Sequence, residues 1–218
     1  LTFEFIKIPE LDYDLEAVTT ESGRLYTTPK GNKYRSITTV LSAFSKKAIL
    51  EWRKRVGDEE ANRISSKAST RGTNLHLVCE KYLLNEYTPL KLKSLMPNIK
   101  ALFQQLKPEL DKNIGKIYAL EQALYSDELE VAGRVDCIAE WNGELSIIDF
   151  KTSSKLKEEG HIQNYFMQCT AYAIMFEERT GRPIDKIVVA IAVENEQPQI
   201  FVRSKLDYVT ELMKYVKT

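Results

Sequence analysis

Histidine and cysteine are scarce in this chain, and long apolar runs are missing. Among 218 residues there are two histidines and three cysteines. Cys79, Cys137 and Cys169 are odd in number, widely spaced and form no CxxC pair, which argues against a disulfide framework and against a cysteine-ligated metal cluster, and favours a reducing compartment. No apolar stretch approaches the ~20 residues that cross a bilayer, and no basic segment followed by an apolar one opens the chain, so no membrane association is expected. The chain starts at Leu1 rather than methionine, which leaves its true N-terminus open. Net charge is absent too: 31 basic residues balance 31 acidic ones, so the surface as a whole is not coated in positive potential. No internal repeat, low-complexity segment or composition break divides the chain, and one domain over 1–218 is expected.

What is present is an ordinary globular composition, 43% hydrophobic and 28% charged, with unevenly placed basic residues. From Arg24 to Val56, Arg24, Lys30, Lys33, Arg35, Lys46, Lys47, Arg53, Lys54 and Arg55 stand against the single acid Glu51. Tyr26, Tyr34, Phe44 and Trp52 are interleaved with them. Cations with exposed aromatics neutralise phosphates and stack bases of a single nucleic-acid strand. In the plainer reading the aromatics are core and the lysines merely solvated.

Residues 1–35 read as an irregular or short-stranded arm with a turn at TPKGNK. Ser36 is a plausible N-cap for a helix over 36–51, since Ile37, Val40, Leu41 and Phe44 follow helical spacing. Further helices are expected over 58–84 and from Pro97 to before Lys112. The half 1–114 is thus mainly helical. After about Gly115 the period changes: KIYALEQAL, VAGRVDCIAEW, ELSIIDFKT, DKIVVAIAVEN and QPQIFVRS read as strands, interrupted by the helix HIQNYFMQCTAYAIMFEERTG with its glycine stop.

Asn142-Gly143 signals a two-residue type I′ hairpin turn, in which both central residues take positive φ. Pairing Trp141 with Glu144 then sets Ile138 opposite Ile147, Cys137 opposite Ile148 and Asp136 opposite Asp149. Alternation places Asp136, Asp149 and Lys151 on one face with Ile138 and Ile147, and Cys137 and Phe150 on the other. Opposed carboxylates ~5 Å apart destabilise a sheet unless something compensates. A shared proton, a divalent cation, or neutralisation by Arg134 and Lys151 on a solvated face would each do so; hard oxygen donors suit Mg²⁺ or Mn²⁺. Lys151 could then orient or deprotonate a water, or stabilise charge developing on a phosphate.

On the helix after the hairpin, Gln168 and Tyr172 lie four apart and project from one side. His76 borders the apolar arc of Leu75, Val78, Cys79, Tyr82 and Leu83, a place where a satisfied structural histidine is the common case. Glu121, on the strand before the hairpin, offers a further carboxylate whose register the loop YSDELEV leaves open.

GRVD, then DFKT, then QCTAY on a following helix, with RGTNLH upstream, resemble the PD-(D/E)XK nuclease superfamily in its RecB-like branch, where motifs run GxxD, D-x-K and QxxxY. Within it the likeness is to the mitochondrial genome maintenance exonuclease family and its bacteriophage relatives, over roughly residues 36–195. The resemblance implies an α/β fold with a restriction-endonuclease-like αβββαβ core, the catalytic part lying in 115–218. It implies a Mg²⁺ or Mn²⁺ dependent exonuclease acting on single-stranded DNA or flaps with a free end, in replication, repair or recombination. A structure-specific endonuclease or a non-catalytic DNA-binding recombination subunit are the alternatives. Asp136 and Asp149 would bind the metal, with His76 as an additional ligand or metal-site residue; Glu121 stays a further candidate ligand from its place on the preceding strand alone. Lys151 would be catalytic, while Gln168 and Tyr172 would organise the site and contact the DNA backbone. Arg35, Lys46, Lys47, Trp52, Arg53, Arg55 and Arg71 would hold the strand under a helical arch. No iron-sulfur cluster is expected, because the cysteines are too few, and no helicase motif is fused. The proline that gives the superfamily its name is replaced by Val135. A monomer in a bacterial or phage-infected cytoplasm is expected, with the mitochondrial matrix as the other setting.

Overall fold

A computed structural model describes residues 2–216. Its elements are β1 (Glu16–Thr20), β2 (Gly23–Thr27), β3 (Lys33–Ser36), α1 (Ile37–Val56), α2 (Asp58–Leu83), α3 (Pro89–Lys93), α4 (Pro97–Asn113), β4 (Ile114–Ser126), β5 (Val131–Trp141), β6 (Glu144–Ser153), α5 (Gln163–Thr180), β7 (Lys186–Val193), β8 (Gln199–Ser204) and α6 (Leu206–Val216). The expected run of helices, three strands, a helix and two strands is there, with additions at both ends. The N-terminal arm supplies three short strands that extend the sheet. α6 has no counterpart among the expected elements; its buried Tyr208 and Leu212, four apart, were the helical signal available.

α1 runs past Glu51 to Val56 and stops where Gly57 takes φ 86°, a conformation that disfavours side-chain-bearing residues and lets α2 start at once in a new direction. Ser36 sits at the N-cap of α1, but its hydroxyl meets Thr38 Oγ1 at 2.7 Å rather than a backbone N–H. Its backbone serves the β3–β5 ladder, in which Ser36 pairs with Ala132.

The sheet order is β1-β2-β3-β5-β6-β7-β8, with β4 also on β5. Asn142 (φ 52°) and Gly143 (φ 79°) form the expected turn, and the register is the expected one from Trp141–Glu144 to Cys137–Ile148. There the β5–β6 ladder ends. The anticipated pairs Asp136–Asp149 and Val135–Phe150 do not form, because β5 and β6 part; further along, β3 joins β5 at Val131 and Ala132. Residues 133–136 of β5 therefore lie in a fork of the sheet, with 133–135 paired on the β4 side only and Asp136 in no ladder pair.

The two faces bury separate cores. Ile138, Ile147, Val189 and Ile191 pack with α1, α5 and α6, while Cys137, Ile148, Phe150 and Val188 pack with α2 and α4. Layers on both faces explain why β7, KIVVAIAV, is apolar at nearly every position instead of alternating. All three cysteines are buried in these cores, where burial pushes their thiols up from their ordinary range. Among the described residues no helix is long and apolar enough to cross a membrane.

Candidate active site

The fork converts backbone donors into a polar site. With its ladder partner gone, the Phe150 N–H donates instead to Asp136 Oδ2 at 2.8 Å, and the Phe150 carbonyl accepts from His76 Nε2 at 2.5 Å. The same Nε2 lies 3.6 Å from Asp136 Oδ2. α2 thus delivers His76 across the gap that the parting strands leave.

Asp149 and Lys151 lie just beyond, on the α5 side. Asp149 is 1% exposed; its Oδ2 is 2.5 Å from Lys151 Nζ, and its Oδ1 accepts from Gln168 Nε2 at 3.3 Å. Burial pushes the Asp149 carboxyl up to about 6, with Asp136 adding to the rise and Lys151 opposing it. For Lys151, burial alone would lower the ammonium, but Asp149 and Asp136 outweigh it and hold the charge above the ordinary lysine range. Tyr165 closes this side, its ring centroid 5.2 Å from Lys151 Nζ. Sequence reading passed over Tyr165, although it stands three residues before Gln168 and so on the same side of α5.

Gly133 explains how Tyr172 fits. A β-carbon at Gly133 would lie 2.8 Å from Tyr172 Cε1, 2.9 Å from its hydroxyl and 3.1 Å from Ile37 Cγ2. The glycine of GRVD and the tyrosine of QCTAY are therefore two sides of one contact. Tyr172 is 2% exposed, and Gln168 Nε2 donates to its hydroxyl at 3.4 Å. The tyrosine expected to touch DNA is thus packed beneath β5, where it props up Gln168.

The register of Glu121 is settled by the structure. It lies between the pairs Leu120–Cys137 and Gln122–Val135, across from Asp136, with φ 46°. Its carbonyl accepts from Arg134, whose other arm reaches Asp14 Oδ1 at 2.6 Å. One ligand atom from each of His76, Glu121 and Asp136 lie within 4.8 Å of one another. Burial and then Asp136 raise the Glu121 carboxyl to about 7. One nitrogen and two hard oxygens converging this way, with the Glu121 carboxyl driven toward its neutral form, fit a divalent cation that would supply the missing positive charge.

The expected DNA-binding side chains scatter over the N-terminal half. Arg35, Lys46, Lys47 and Arg55 are exposed, and Trp52 is half-buried. Arg53 is tied to Asp58 at 2.8 Å and Asn62 at 2.9 Å across the α1–α2 corner. Arg71 is buried and paired with Glu194 at 3.0 Å. Of the interleaved aromatics, Tyr26 is core, Tyr34 donates to Asp127 at 2.8 Å, and Phe44 packs against Tyr215.

The sequence pattern of the PD-(D/E)XK nuclease superfamily matches residues 40–216. The chain belongs to that superfamily. PD-(D/E)XK nucleases use divalent metal ions, in keeping with the convergence of His76, Glu121 and Asp136. The chain is similar to mitochondrial genome maintenance exonuclease 1 of Homo sapiens, 31% identical over 137 residues that make up 61% of this chain and 37% of that protein. The protein of the same name from Xenopus tropicalis is 32% identical over 87 residues, 38% of this chain and 24% of that one. The matches thus span between about a quarter and little more than a third of these relatives' length. A solved structure of an exonuclease candidate from Eubacterium rectale is 13% identical, with a TM-score of 0.45 over 67% of this chain and 64% of that one.

Proposed function

We propose that this PD-(D/E)XK chain hydrolyses phosphodiester bonds of DNA, working from a free end of a single strand or flap. The observation that carries the reading is the meeting of His76, Glu121 and Asp136 beside the buried Asp149–Lys151 pair, on the fork of a nuclease-family sheet. His76, Glu121, Asp136 and Asp149 would hold Mg²⁺ or Mn²⁺. When bound, such an ion supplies Lewis-acid polarisation of a phosphoryl oxygen and a more acidic water.

The chain's own groups do the rest. Lys151, kept protonated by Asp149 and Asp136, offers a fixed positive charge to a phosphate as charge builds on it. Gln168 holds Asp149 from the α5 side, and Tyr172 beneath it fixes the rotamer of Gln168. The exposed Arg35, Lys46, Lys47 and Arg55 would supply phosphate contacts, and the half-buried Trp52 a stacking ring, for the approaching strand. Likeness to the mitochondrial exonucleases supports an end-dependent reaction in DNA replication, repair or recombination. We place the protein, as one monomeric nuclease domain without an iron-sulfur cluster, in a bacterial or phage-infected cytoplasm; the mitochondrial matrix is the setting its relatives favour.

An end-labelled linear strand and a circular strand of the same composition, each given Mg²⁺, Mn²⁺ or EDTA, test the reading. Metal-dependent loss of the linear form alone is expected. Loss of both makes the protein an endonuclease, and loss of neither leaves a DNA-binding scaffold.

A further inference from the structure

On its opposite flank, α2 carries a second polar feature that the reaction does not use. Lys67, Thr70, Arg71 and Asn74 recur at helical spacing on the flank turned away from His76, and with Asn98 and Glu194 they line a cavity of about 450 Å³. Its floor is Arg71, whose side chain is 9% exposed. One guanidinium nitrogen meets Glu194 Oε1 at 3.0 Å, and the buried Nε has no hydrogen-bond partner. A buried guanidinium N–H left unpaired is costly, so a ligand that accepts from it is favoured. Lys67, Thr70, Asn74 and Asn98 have no side-chain partner among the described residues, whereas Arg63 at the rim is engaged by Glu60 at 2.7 Å. Asn98 lies in the first turn of the 17-residue α4, adding unpaired N–H groups and the positive end of that helix. Donors outnumber acceptors and cations outnumber the lone carboxylate, while the exposed Met96 and the aliphatic stems supply an apolar wall beside them.

We propose that this cavity is a phosphate-binding cradle, distinct from the candidate metal site. It is placed to take either a backbone phosphate of the strand being cut or the phosphate of a free nucleotide. The cavity lies close to the fork: Arg71 and His76 are about 7.5 Å apart along the axis of α2, Gly72 faces Thr152 next to Lys151, and Glu194 follows the strand paired with Ser153. The inference deepens the proposed nuclease reading but can be tested without cleavage.

Binding of a fluorescent strand in EDTA would be measured across a salt series for the wild type, Lys67→Ala, Asn74→Ala and Glu194→Gln. A long strand and a trinucleotide would be compared, and each protein's melting would be followed with inorganic phosphate and with a nucleoside 5′-monophosphate. If the strand is the source, Lys67→Ala weakens long-strand binding about 3–10-fold and lowers the salt slope by about one, with the trinucleotide unaffected. Glu194→Gln tightens the same binding, a gain that misfolding cannot imitate. If a free nucleotide is the source, the variants instead change phosphate-induced stabilisation in the same directions while strand binding holds. Unchanged strand binding together with unchanged phosphate stabilisation overturns the cradle while leaving any cleavage activity standing; equal losses on long and short strands overturn it as well. Phosphate stabilisation that responds to the variants in a protein that cuts nothing supports the cradle and sinks the nuclease reading.

Discussion

Asp136 Oδ2 accepts the Phe150 backbone N–H at 2.8 Å, at the point where the β5–β6 ladder has ended. One carboxylate therefore does two tasks: it satisfies a buried strand donor and offers oxygen to the candidate cation site. Asp136→Ala should leave that N–H unpaired and cost about 1–3 kcal/mol of stability in EDTA. Asp136→Asn, which keeps an acceptor oxygen, should lose most metal affinity with little loss of stability. Denaturant unfolding paired with Mn²⁺ calorimetry separates the two variants.

Gly133 and Tyr172 form a contact that admits no β-carbon. Gly133→Ala should cost about 1–3 kcal/mol, the usual penalty for overpacking a filled core, and should reduce cleavage by displacing Gln168. In a Tyr172→Leu background the added methyl has room, so the two stability changes should be non-additive. Urea midpoints for the four proteins of the cycle give the coupling.

Glu121 and Asp149 titrate near 7 and 6 in the metal-free protein, above their ordinary 4.5 and 3.8. A carboxyl whose folded value is raised contributes stability that is complete below its unfolded value and is lost as pH rises through the folded one. The metal-free protein should therefore melt at a lower temperature at pH 8 than at pH 5, and Mn²⁺ at pH 8 should reverse the fall. Glu121→Gln should flatten the slope and raise the melting temperature in EDTA at pH 8 by a few degrees. Scanning calorimetry at both pH values checks the sign.

Tyr165 faces the Lys151 ammonium with its ring. Tyr165→Phe retains that face and should keep kcat near wild type. Tyr165→Leu should lower kcat about 3–10-fold, in line with a cation–π contribution of about 0.5–2 kcal/mol, and leave Mn²⁺ affinity unchanged. Steady-state cleavage kinetics together with metal titration distinguish this from general damage.

Much of the fold was legible because local rules carry it. Asn142-Gly143 fixed the hairpin and its register, and helical spacing placed α2 and α5 within a residue or two. The fork was not legible. It exists because β3, nearly a hundred residues upstream, joins the same edge of β5 that β6 leaves, and hairpin sequence alone extends the ladder indefinitely. The opposition of Asp136 and Asp149 was accordingly overdrawn, and the opposition of Glu121 and Asp136 went unseen, since the loop after β4 hid its register. Tyr26 looked like a stacking residue because aromatic composition cannot tell core from surface. Arg71 gave no sign of burial, as its partner Glu194 stands just after β7, far along the chain. Gly133 and Tyr172 stood in the sequence as separate motifs, and only packing reveals the contact between them.

The most direct test of the site is cleavage of an end-labelled single strand in Mn²⁺ by the wild type, Asp149→Ala and Lys151→Ala, each shown to be folded by circular dichroism. The account predicts rapid, EDTA-sensitive cleavage by the wild type and a loss of at least about 100-fold in both variants. Wild-type rates in either folded variant would contradict it.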